Sequence, residues 1–277
     1  MQSAATPVMA TPRKNSRAIE YLSPSAPVSM ADRWFEIASI DHFWVRRRFE
    51  VLHRLAGQEI SSAKELAEVG CGHGLLQTQI ENAYRKEVAG FDLNDSALKQ
   101  NLSSRSRLYC YDIFQRDAAL RERFDLILLF DVLEHISDES GFLQALLFHL
   151  SPSGSLLVNV PAGQWAFSSY DRAAGHVRRY SIKTLRGVMA SNGLTLKEWT
   201  YWGLPLVPSL ILRKFWLMGK RNESEIISAG FDSRSLSVNK MMGLLSGMEW
   251  IPQRLLGTSL MAVLRRGNDA RSVLARP

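Results

Sequence analysis

The sequence predicts an α/β fold with a seven-stranded, mostly parallel β-sheet, helices on both faces and a helical insertion before the last strand. From residue 63 onward, short apolar runs alternate with amphipathic segments, which is typical of parallel strands joined by crossover helices. Residues 126–130 are uniformly apolar, as expected for a central strand covered on both faces. The predicted strands are 65–69, 88–92, 108–112, 124–131, 155–160, 194–201 and 259–265.

The domain division follows from composition and periodicity. The main domain is predicted to comprise residues 31–203 and 257–266. Residues 204–256, with apolar side chains at helical spacing, are predicted to form a helical cap inserted before the last strand. Residues 1–30 are predicted to be a disordered leader, and residues 267–277 a basic tail.

Charge and cysteine content limit the function classes. The net charge is +7, but residues 31–203 carry 20 basic and 21 acidic side chains. A main domain without surplus positive charge is not expected to bind nucleic acid. With two cysteines, no signal-like apolar run and no apolar stretch that could cross a bilayer, a cytoplasmic protein is expected. The basic insertion leaves open a peripheral membrane contact through 204–256, and the oligomeric state stays open.

A glycine-rich turn follows the first predicted strand, with the sequence Glu68-Val69-Gly70-Cys71-Gly72-His73-Gly74. Glycines let the chain turn tightly and approach a ligand closely, and the next helix presents free N–H groups at its start. A dinucleotide fingerprint reads G-x-G-x-x-G. Here the third glycine comes one residue earlier, and an acidic residue precedes the turn. The motif therefore differs from the dinucleotide fingerprint, and a dinucleotide-binding site is the alternative interpretation.

Acidic residues end the next three predicted strands. Asp92 lies 22 residues after Gly70, where a carboxylate can accept hydrogen bonds from both hydroxyls of an adenosine ribose. Asp112 and Asp131 close the third and fourth strands. The carboxyl ends of strands are where open α/β sheets bind ligands, so these acids predict a nucleoside site.

The glycine motif resembles motif I of the class I S-adenosylmethionine-dependent methyltransferase superfamily, and the resemblance covers about residues 40–203. It implies a Rossmann-like sheet, S-adenosyl-L-methionine as cofactor, and adenine near Asp112. The residues expected around this cofactor are Glu68, Gly70, Gly72, Gly74, Asp92, Leu93, Asp112, Ile113 and Asp131.

The end of the fourth strand, Asp131-Val132-Leu133-Glu134-His135, resembles the D/E-x-x-E-H segment of quinone-biosynthesis and related small-molecule methyltransferases. In some of those enzymes the matching residues are thought to hold a divalent metal, which the resemblance extends to Asp131, Glu134 and His135. We expect no metal here and take His135 as a candidate catalytic base. The alternative is that these side chains only pack locally.

A second unusual segment, residues 170–180, resembles the GHxRRY loop of a subgroup of bacterial methyltransferases. His176 could take a proton from an acceptor hydroxyl, with Asp171 orienting its ring. Arg178 or Arg179 could bind a carboxylate or phosphate. The alternative is a loop that only satisfies its own hydrogen bonds.

The segment before the first strand is expected to cover the cofactor, with Trp44 or Arg46 at its methionine end. The alternative is an amphipathic helix with a solvated basic face. Together these features predict an enzyme that transfers a methyl group to an oxygen or nitrogen of a small-molecule, saccharide or lipid-linked acceptor. The alternatives are a nucleotide-dependent oxidoreductase and a non-catalytic S-adenosylmethionine-binding module.

Overall fold

The computed structural model describes residues 18–27, 39–218, 226 and 236–267. The strands in these residues are β1 (Ile19–Tyr21), β2 (Leu66–Val69), β3 (Ala89–Asp92), β4 (Leu108–Cys110), β5 (Phe124–Phe130), β6 (Leu150–Pro161), β7 (Leu194–Trp202) and β8 (Ser259–Arg266). The helices are α1 (Phe43–Ser62), α2 (Leu75–Tyr84), α3 (Asp95–Lys99), α4 (Glu139–His149), α5 (Ser169–Ala173), α6 (Ile182–Ser191), α7 (Val207–Trp216) and α8 (Leu236–Gly247).

All of these strands join one sheet in the order β1-β4-β3-β2-β5-β6-β8-β7. Every adjacent pair from β1 to β6 is parallel, and β8 runs antiparallel to both β6 and β7. The chain winds outward from β2 in both directions, so a crevice opens at the carboxyl ends of the central strands. The predicted α/β, mostly parallel architecture is confirmed.

Strand β5 explains why its sequence is apolar without alternation. Ile127 and Leu129 pack into the core on one face of the sheet, whereas Leu126 and Leu128 pack into the core on the other. All four side chains are buried. Because neighbouring residues of a strand point to opposite faces, a strand covered on both sides needs apolar side chains at every position.

The sheet has one strand more than predicted, and that strand lies in the predicted disordered leader. Ile19–Tyr21 pairs in parallel with β4 at the edge of the sheet. The N–H groups of Leu22 and Ser23 then both donate to the Cys110 carbonyl at 3.0 Å. The prediction of disorder is therefore wrong for residues 18–27. Three residues carry too little periodicity to stand out from a polar, proline-containing segment.

Other parts of the predicted leader and tail, residues 1–17, 28–30 and 268–277, lie outside the described residues. Helices α7 and α8 fall between β7 and β8, where the helical insertion was predicted. No helix in the described part of the chain is long and apolar enough to cross a membrane.

The insertion is joined to the start of α1 by polar contacts. Asn239 accepts a hydrogen bond from the Phe43 N–H at 2.7 Å and donates to the Asp41 carbonyl at 3.1 Å. The buried Glu249 carboxylate accepts from the Gly203 N–H at 2.8 Å and lies 3.6 Å from Arg47. These contacts hold α8 beside α1 above the crevice.

Candidate active site

A cavity of about 710 Å³ lies at the carboxyl ends of the central strands. Its cofactor side contains all the predicted cofactor residues except Gly74, namely Glu68, Gly70, Gly72, Asp92, Leu93, Asp112, Ile113 and Asp131. Other parts of the wall are formed by α1, the GHxRRY loop, α7 and α8. The sheet topology thus brings residues as far apart in sequence as Phe43 and Ser259 into one site.

The glycine turn fits closely against its surroundings. Gly70 has φ +76°, and a Cβ there would lie 2.4 Å from Val132 Cγ2. Gly74, with φ +78°, precedes α2, and a Cβ there would lie 2.4 Å from Asn101 Oδ1. Gly74 packs against Asn101 and does not line the cavity, and its predicted contact with the cofactor stays a prediction. Only glycine combines the left-handed backbone with this closeness.

Asp92 holds the glycine turn to the end of β3. Its carboxylate accepts hydrogen bonds from the Gly72 N–H at 2.7 Å and the Asn94 N–H at 2.8 Å. Burial raises the pKa of Asp92, and these N–H donors oppose the rise. Each carboxylate oxygen has a second lone pair, so Asp92 can still accept hydrogen bonds from a ligand.

Asp112 lies just beyond β4 and begins a short 3₁₀ turn. Its side chain accepts from the Phe114 N–H at 3.0 Å, while its own N–H donates to Ser23 Oγ at 2.8 Å. Nearby, the Ala26 N–H donates to the Leu93 carbonyl at 3.0 Å. The segment after β1 therefore supports two residues that line the cofactor side of the cavity, a contribution that the sequence did not indicate.

Asp131 is held in a left-handed conformation, with φ +58°, directly after β5. Arg48 from α1 makes an ion pair with its carboxylate at 2.6 Å, and Asn159 Nδ2 donates to it at 2.8 Å. The Arg48 guanidinium also lies over the Trp44 ring, 4.8 Å from its centroid. Trp44 and Arg48 line the cavity, whereas the predicted Arg46 is exposed and does not. A two-position shift along a helix changes the face, which composition alone does not resolve.

Glu68 is buried in the cavity wall, and its Oε2 has no hydrogen-bond partner among the residues that the structure describes. Burial raises its pKa to about 8, although the nearby Arg48 acts in the opposite direction. A buried carboxyl that faces a cavity and lacks a partner is a group that a polar ligand would satisfy.

On the opposite side of the cavity, Asp171 orients His176. Asp171 Oδ1 lies 3.0 Å from His176 Nδ1 and accepts from Arg179 Nε at 2.7 Å. Burial raises the pKa of Asp171, but the hydrogen bonds and charges of His176 and Arg179 outweigh it and bring the pKa to about 2. An ionised Asp171 places the imidazole proton on Nδ1, which leaves Nε2 with a lone pair.

His176 lines the cavity, whereas Asp171 is fully buried behind it and does not. The sequence predicts that Asp171 orients the His176 ring, and its buried position behind that ring suits this role. Of the two arginines, Arg178 binds the Ile136 carbonyl at 2.7 Å and Glu139 at 2.9 Å, away from the cavity. Arg179 does reach the cavity wall, but its Nε is committed to Asp171.

His135 and Glu134 lie against His176. The two imidazole centroids are 4.8 Å apart at an interplanar angle of 83°, and Glu134 Oε1 lies 4.0 Å from His176 Nε2. Burial and the neighbouring His176 lower the pKa of His135 to about 4. Burial and the nearby Asp131 raise the pKa of Glu134 well above its ordinary value. The low pKa of His135 keeps its imidazole neutral near neutral pH, and burial disfavours the charged form of Glu134.

The metal arrangement considered from the sequence is not the one that the structure assembles. Asp131 makes an ion pair with Arg48. In the described residues, the side chains close enough to share an ion are Glu134, His135 and His176, whose ligand atoms lie within 4.8 Å of one another. The candidate ligand set in the structure is therefore Glu134, His135 and His176, without Asp131.

The insertion forms part of the wall, and the sequence indicated its helices but not which of their side chains line the cavity. Leu206, Leu210 and Arg213 from the start and body of α7, and Val238 and Met242 from α8, line the cavity. Arg213 lies over the Tyr170 ring at 4.2 Å. The helical spacing of the apolar positions was visible in the sequence, but the partner of that face was not.

The cavity fits S-adenosyl-L-methionine on three observations. A Cβ at Gly70 would obstruct the turn, Glu68 presents an unpartnered buried oxygen, and Asp92 retains accepting capacity at the end of β3. The sheet order together with the glycine turn at the carboxyl end of β2 defines a Rossmann-like domain. The model of the methyltransferase-domain family matches residues 40–198, which is more than half of the chain. The chain therefore belongs to this family.

Curated relatives carry the same class of name. A probable S-adenosylmethionine-dependent methyltransferase of Mycobacterium tuberculosis is 27% identical over 140 residues, covering 50% of each chain. A ubiquinone biosynthesis O-methyltransferase of Cupriavidus pinatubonensis is 26% identical over 151 residues, covering 49% of this chain and 59% of the relative. The chain thus spans about half the length of the curated relatives it matches.

Solved structures share the fold. A methyltransferase from Archaeoglobus fulgidus superposes with a TM-score of 0.52 at 14% identity, over 81% of this chain and 96% of that one. The 1,6-didemethyltoxoflavin-N1-methyltransferase of Burkholderia thailandensis gives 0.51 at 14% identity, over 86% and 82%. At such low identity the likeness concerns the fold alone.

Proposed function

We propose that this chain is an S-adenosylmethionine-dependent methyltransferase that acts on a hydroxyl oxygen of its acceptor, with His176 as the general base. The observation that carries the proposal is the short contact between His176 Nδ1 and the ionised Asp171, which leaves Nε2 as an acceptor on the cavity wall. An amine that arrives neutral needs no such base, whereas a hydroxyl must lose its proton.

The chain's part on the donor side is to bind and orient. Asp92 is suited to accept hydrogen bonds from the two ribose hydroxyls, and Asp112 with Ile113 lines the expected adenine end. Glu68 offers its unpartnered oxygen to a polar group at the opposite end. The bound donor supplies an activated sulfonium methyl group. Alignment of the acceptor with such a group is worth roughly 7–11 kcal/mol.

On the acceptor side, His176 accepts the hydroxyl proton at Nε2. Asp171 stabilises the imidazolium that results, because its carboxylate is ionised and 3.0 Å from Nδ1. His135 stays neutral beside it and does not compete for the proton. The remaining wall, formed by Tyr170, Leu206 and Leu210, is largely apolar and excludes water from the hydroxyl.

Two relatives matched by the chain are named as O-methyltransferases of ubiquinone and tocopherol. Those names support oxygen over nitrogen as the acceptor atom here, and an acceptor with an apolar portion. Within the predicted range of small-molecule, saccharide and lipid-linked acceptors, we therefore favour a hydroxyl on a partly apolar molecule.

Calorimetry with S-adenosylhomocysteine, the demethylated product, tests the donor site. We expect the wild-type protein to bind it and Asp92→Ala to lose at least tenfold in affinity, equivalent to about 1.4 kcal/mol. Asp95→Ala is the matched control, because Asp95 is a nearby carboxylate that pairs with Lys99 outside the cavity. Binding of NADH in place of S-adenosylhomocysteine would favour the oxidoreductase alternative, and binding without turnover on any hydroxylated acceptor would favour a binding module.

A further inference from the structure

The two helices of the insertion each have one face in the cavity and another in solvent. Leu206, Leu210 and Val238 contact the cavity from these elements. The outward positions of the same elements are also large and apolar, and they are exposed: Ile211, Leu212, Phe215, Trp216, Met218, Met241, Leu244, Leu245, Met248, Trp250 and Leu255. A helix that packs only on its own domain is expected to be polar on its outer face.

This concentration of apolar side chains is confined to the insertion. In the described residues the other exposed large apolar side chains are Val238, which lines the cavity, and the single, scattered Tyr21, Leu102, Phe114, Trp165 and Val177. Leu244, Met248 and Trp250 at the end of α8 are 75%, 80% and 81% exposed. Contiguous exposed apolar side chains of this kind mark an interaction surface. We call the exposed apolar side chains of residues 211–255 the outer face.

The described charges of the insertion are mainly basic. In the described part of the insertion the basic residues are Arg213, Lys214, Lys240 and Arg254, and the acidic residue is Glu249. Glu249 is buried and bound to backbone N–H groups, beside Arg47. Arg213 lies over the Tyr170 ring in the cavity wall, and Arg254 pairs with Glu198. Lys240 is exposed and Lys214 is half-buried, and these two charges complement an apolar surface that carries negative charge.

We propose that the outer face docks on a phospholipid bilayer with anionic headgroups, and that the cavity receives the hydroxyl of an acceptor held in that bilayer. The second half rests on the proposed function. Trp216, Trp250 and Phe215 supply the aromatic side chains that favour the interface, and Lys214 and Lys240 supply the attraction to headgroups. A symmetric pair of chains joined through this face would instead bring its own positive charges together.

The position of the outer face connects the bilayer to the chemistry. Helices α7 and α8 separate it from the cavity by about one helix diameter, roughly 10 Å. An acceptor whose apolar portion stays in the bilayer can present its polar end between these helices, toward Leu210 and Met242, without leaving the lipid.

Co-sedimentation of the full chain with vesicles tests the docking. We expect binding to vesicles of phosphatidylglycerol and phosphatidylcholine in equal amounts, weaker binding to pure phosphatidylcholine, and weakening by added salt. The triple variant Leu244→Ser, Met248→Ser, Trp250→Ser should need roughly tenfold more lipid for half-maximal binding. Leu102→Ser, which replaces an exposed leucine outside the outer face, should bind as the wild type does.

Failure of wild-type protein to bind anionic vesicles, or equal binding by the triple variant, would overturn the proposal. So would a wild-type dimer that the triple variant converts to a monomer without any lipid binding, because the outer face would then pair with a second copy. Affinity for S-adenosylhomocysteine should be the same in all three proteins. A docking failure with that affinity intact leaves the methyltransferase assignment standing, whereas lost affinity in the wild type would reject the assignment itself.

Discussion

Asp171 Oδ1 receives two donors at once, His176 Nδ1 at 3.0 Å and Arg179 Nε at 2.7 Å. Its other oxygen accepts from the Ser168 N–H at 2.9 Å, so the carboxylate is fixed in place. Two positively polarised partners keep it ionised despite complete burial. The consequence is that the His176 ring has one orientation and one tautomer before any acceptor arrives.

Removing the proposed base should separate chemistry from cofactor binding. We expect His176→Ala to lower turnover by roughly 10²–10⁴-fold, because general-base assistance to a hydroxyl is of that size. Affinity for S-adenosylhomocysteine should stay at the wild-type value, measured by calorimetry. Val177→Ala, which alters the exposed neighbour, is the control and should retain turnover. A fully active His176→Ala enzyme would exclude this residue from the proton transfer.

The buried Glu68 carboxyl predicts a pH-dependent stability. Its pKa rises from 4.5 to about 8 on folding, mainly through burial. Between those values the folded protein holds a proton that the unfolded chain has lost, so the free energy of unfolding falls as the pH rises through this range.

Glu68→Gln cannot ionise and should lose that dependence. In denaturant titrations without ligand, we expect its stability relative to wild type to increase between pH 5 and pH 8 by on the order of 3 kcal/mol. Glu65→Gln, which changes an exposed carboxylate at the other end of β2, should follow the wild-type curve. Parallel curves for Glu68→Gln and wild type would show that the carboxyl is already ionised at low pH.

Ser23 offers a test of the edge segment at the cofactor site. Ser23→Ala removes the acceptor of the Asp112 N–H, and a lost hydrogen bond of this kind costs about 1 kcal/mol. We expect roughly fivefold weaker binding of S-adenosylhomocysteine and a lower melting temperature. The exposed Ser25 provides the control variant Ser25→Ala. Identical behaviour of the two variants would mean that the contact does not support the site.

Chelation distinguishes the base from a metal centre. With Asp131 paired to Arg48, the Glu134–His135–His176 group keeps one carboxyl, and burial raises the pKa of that carboxyl, which disfavours its charged form. We therefore expect turnover to be unchanged after treatment with EDTA. Loss of activity that Mg²⁺, Mn²⁺ or Zn²⁺ restores would replace the base assignment with a metal-assisted one.

The sequence was sufficient to predict the parts of this site that depend on local backbone geometry. The tight turn at Gly70 and the acid at the end of β3 have fixed spacing in the chain, so they were found without knowledge of packing. Arg48 binds the cavity residue Asp131, which lies 83 positions away in sequence. Ser23 binds the cavity residue Asp112, which lies 89 positions away. Such partners follow from which elements pack together, and local pattern does not determine that.

The amino-acid composition also led to a wrong expectation for a short segment, which was predicted to be disordered and forms a strand. Ile19–Tyr21 is a short and largely exposed strand. Its pairing with β4 can be recognised only when the edge of the sheet is known. His176 was identified because its loop concentrates ionisable residues. The burial of Asp171 behind it, which decides its role, depends on how α5 packs.

The edge strand has a practical consequence for anyone trimming this protein. A cut at residue 31, where the amino-acid composition changes, would strip β1 from the sheet and bare the hydrogen-bonding groups of β4. An uncovered strand edge invites pairing with another molecule, so the shortened protein should be prone to aggregate. Retention of residues 18–27 keeps that edge covered and leaves the Asp112 amide with its partner.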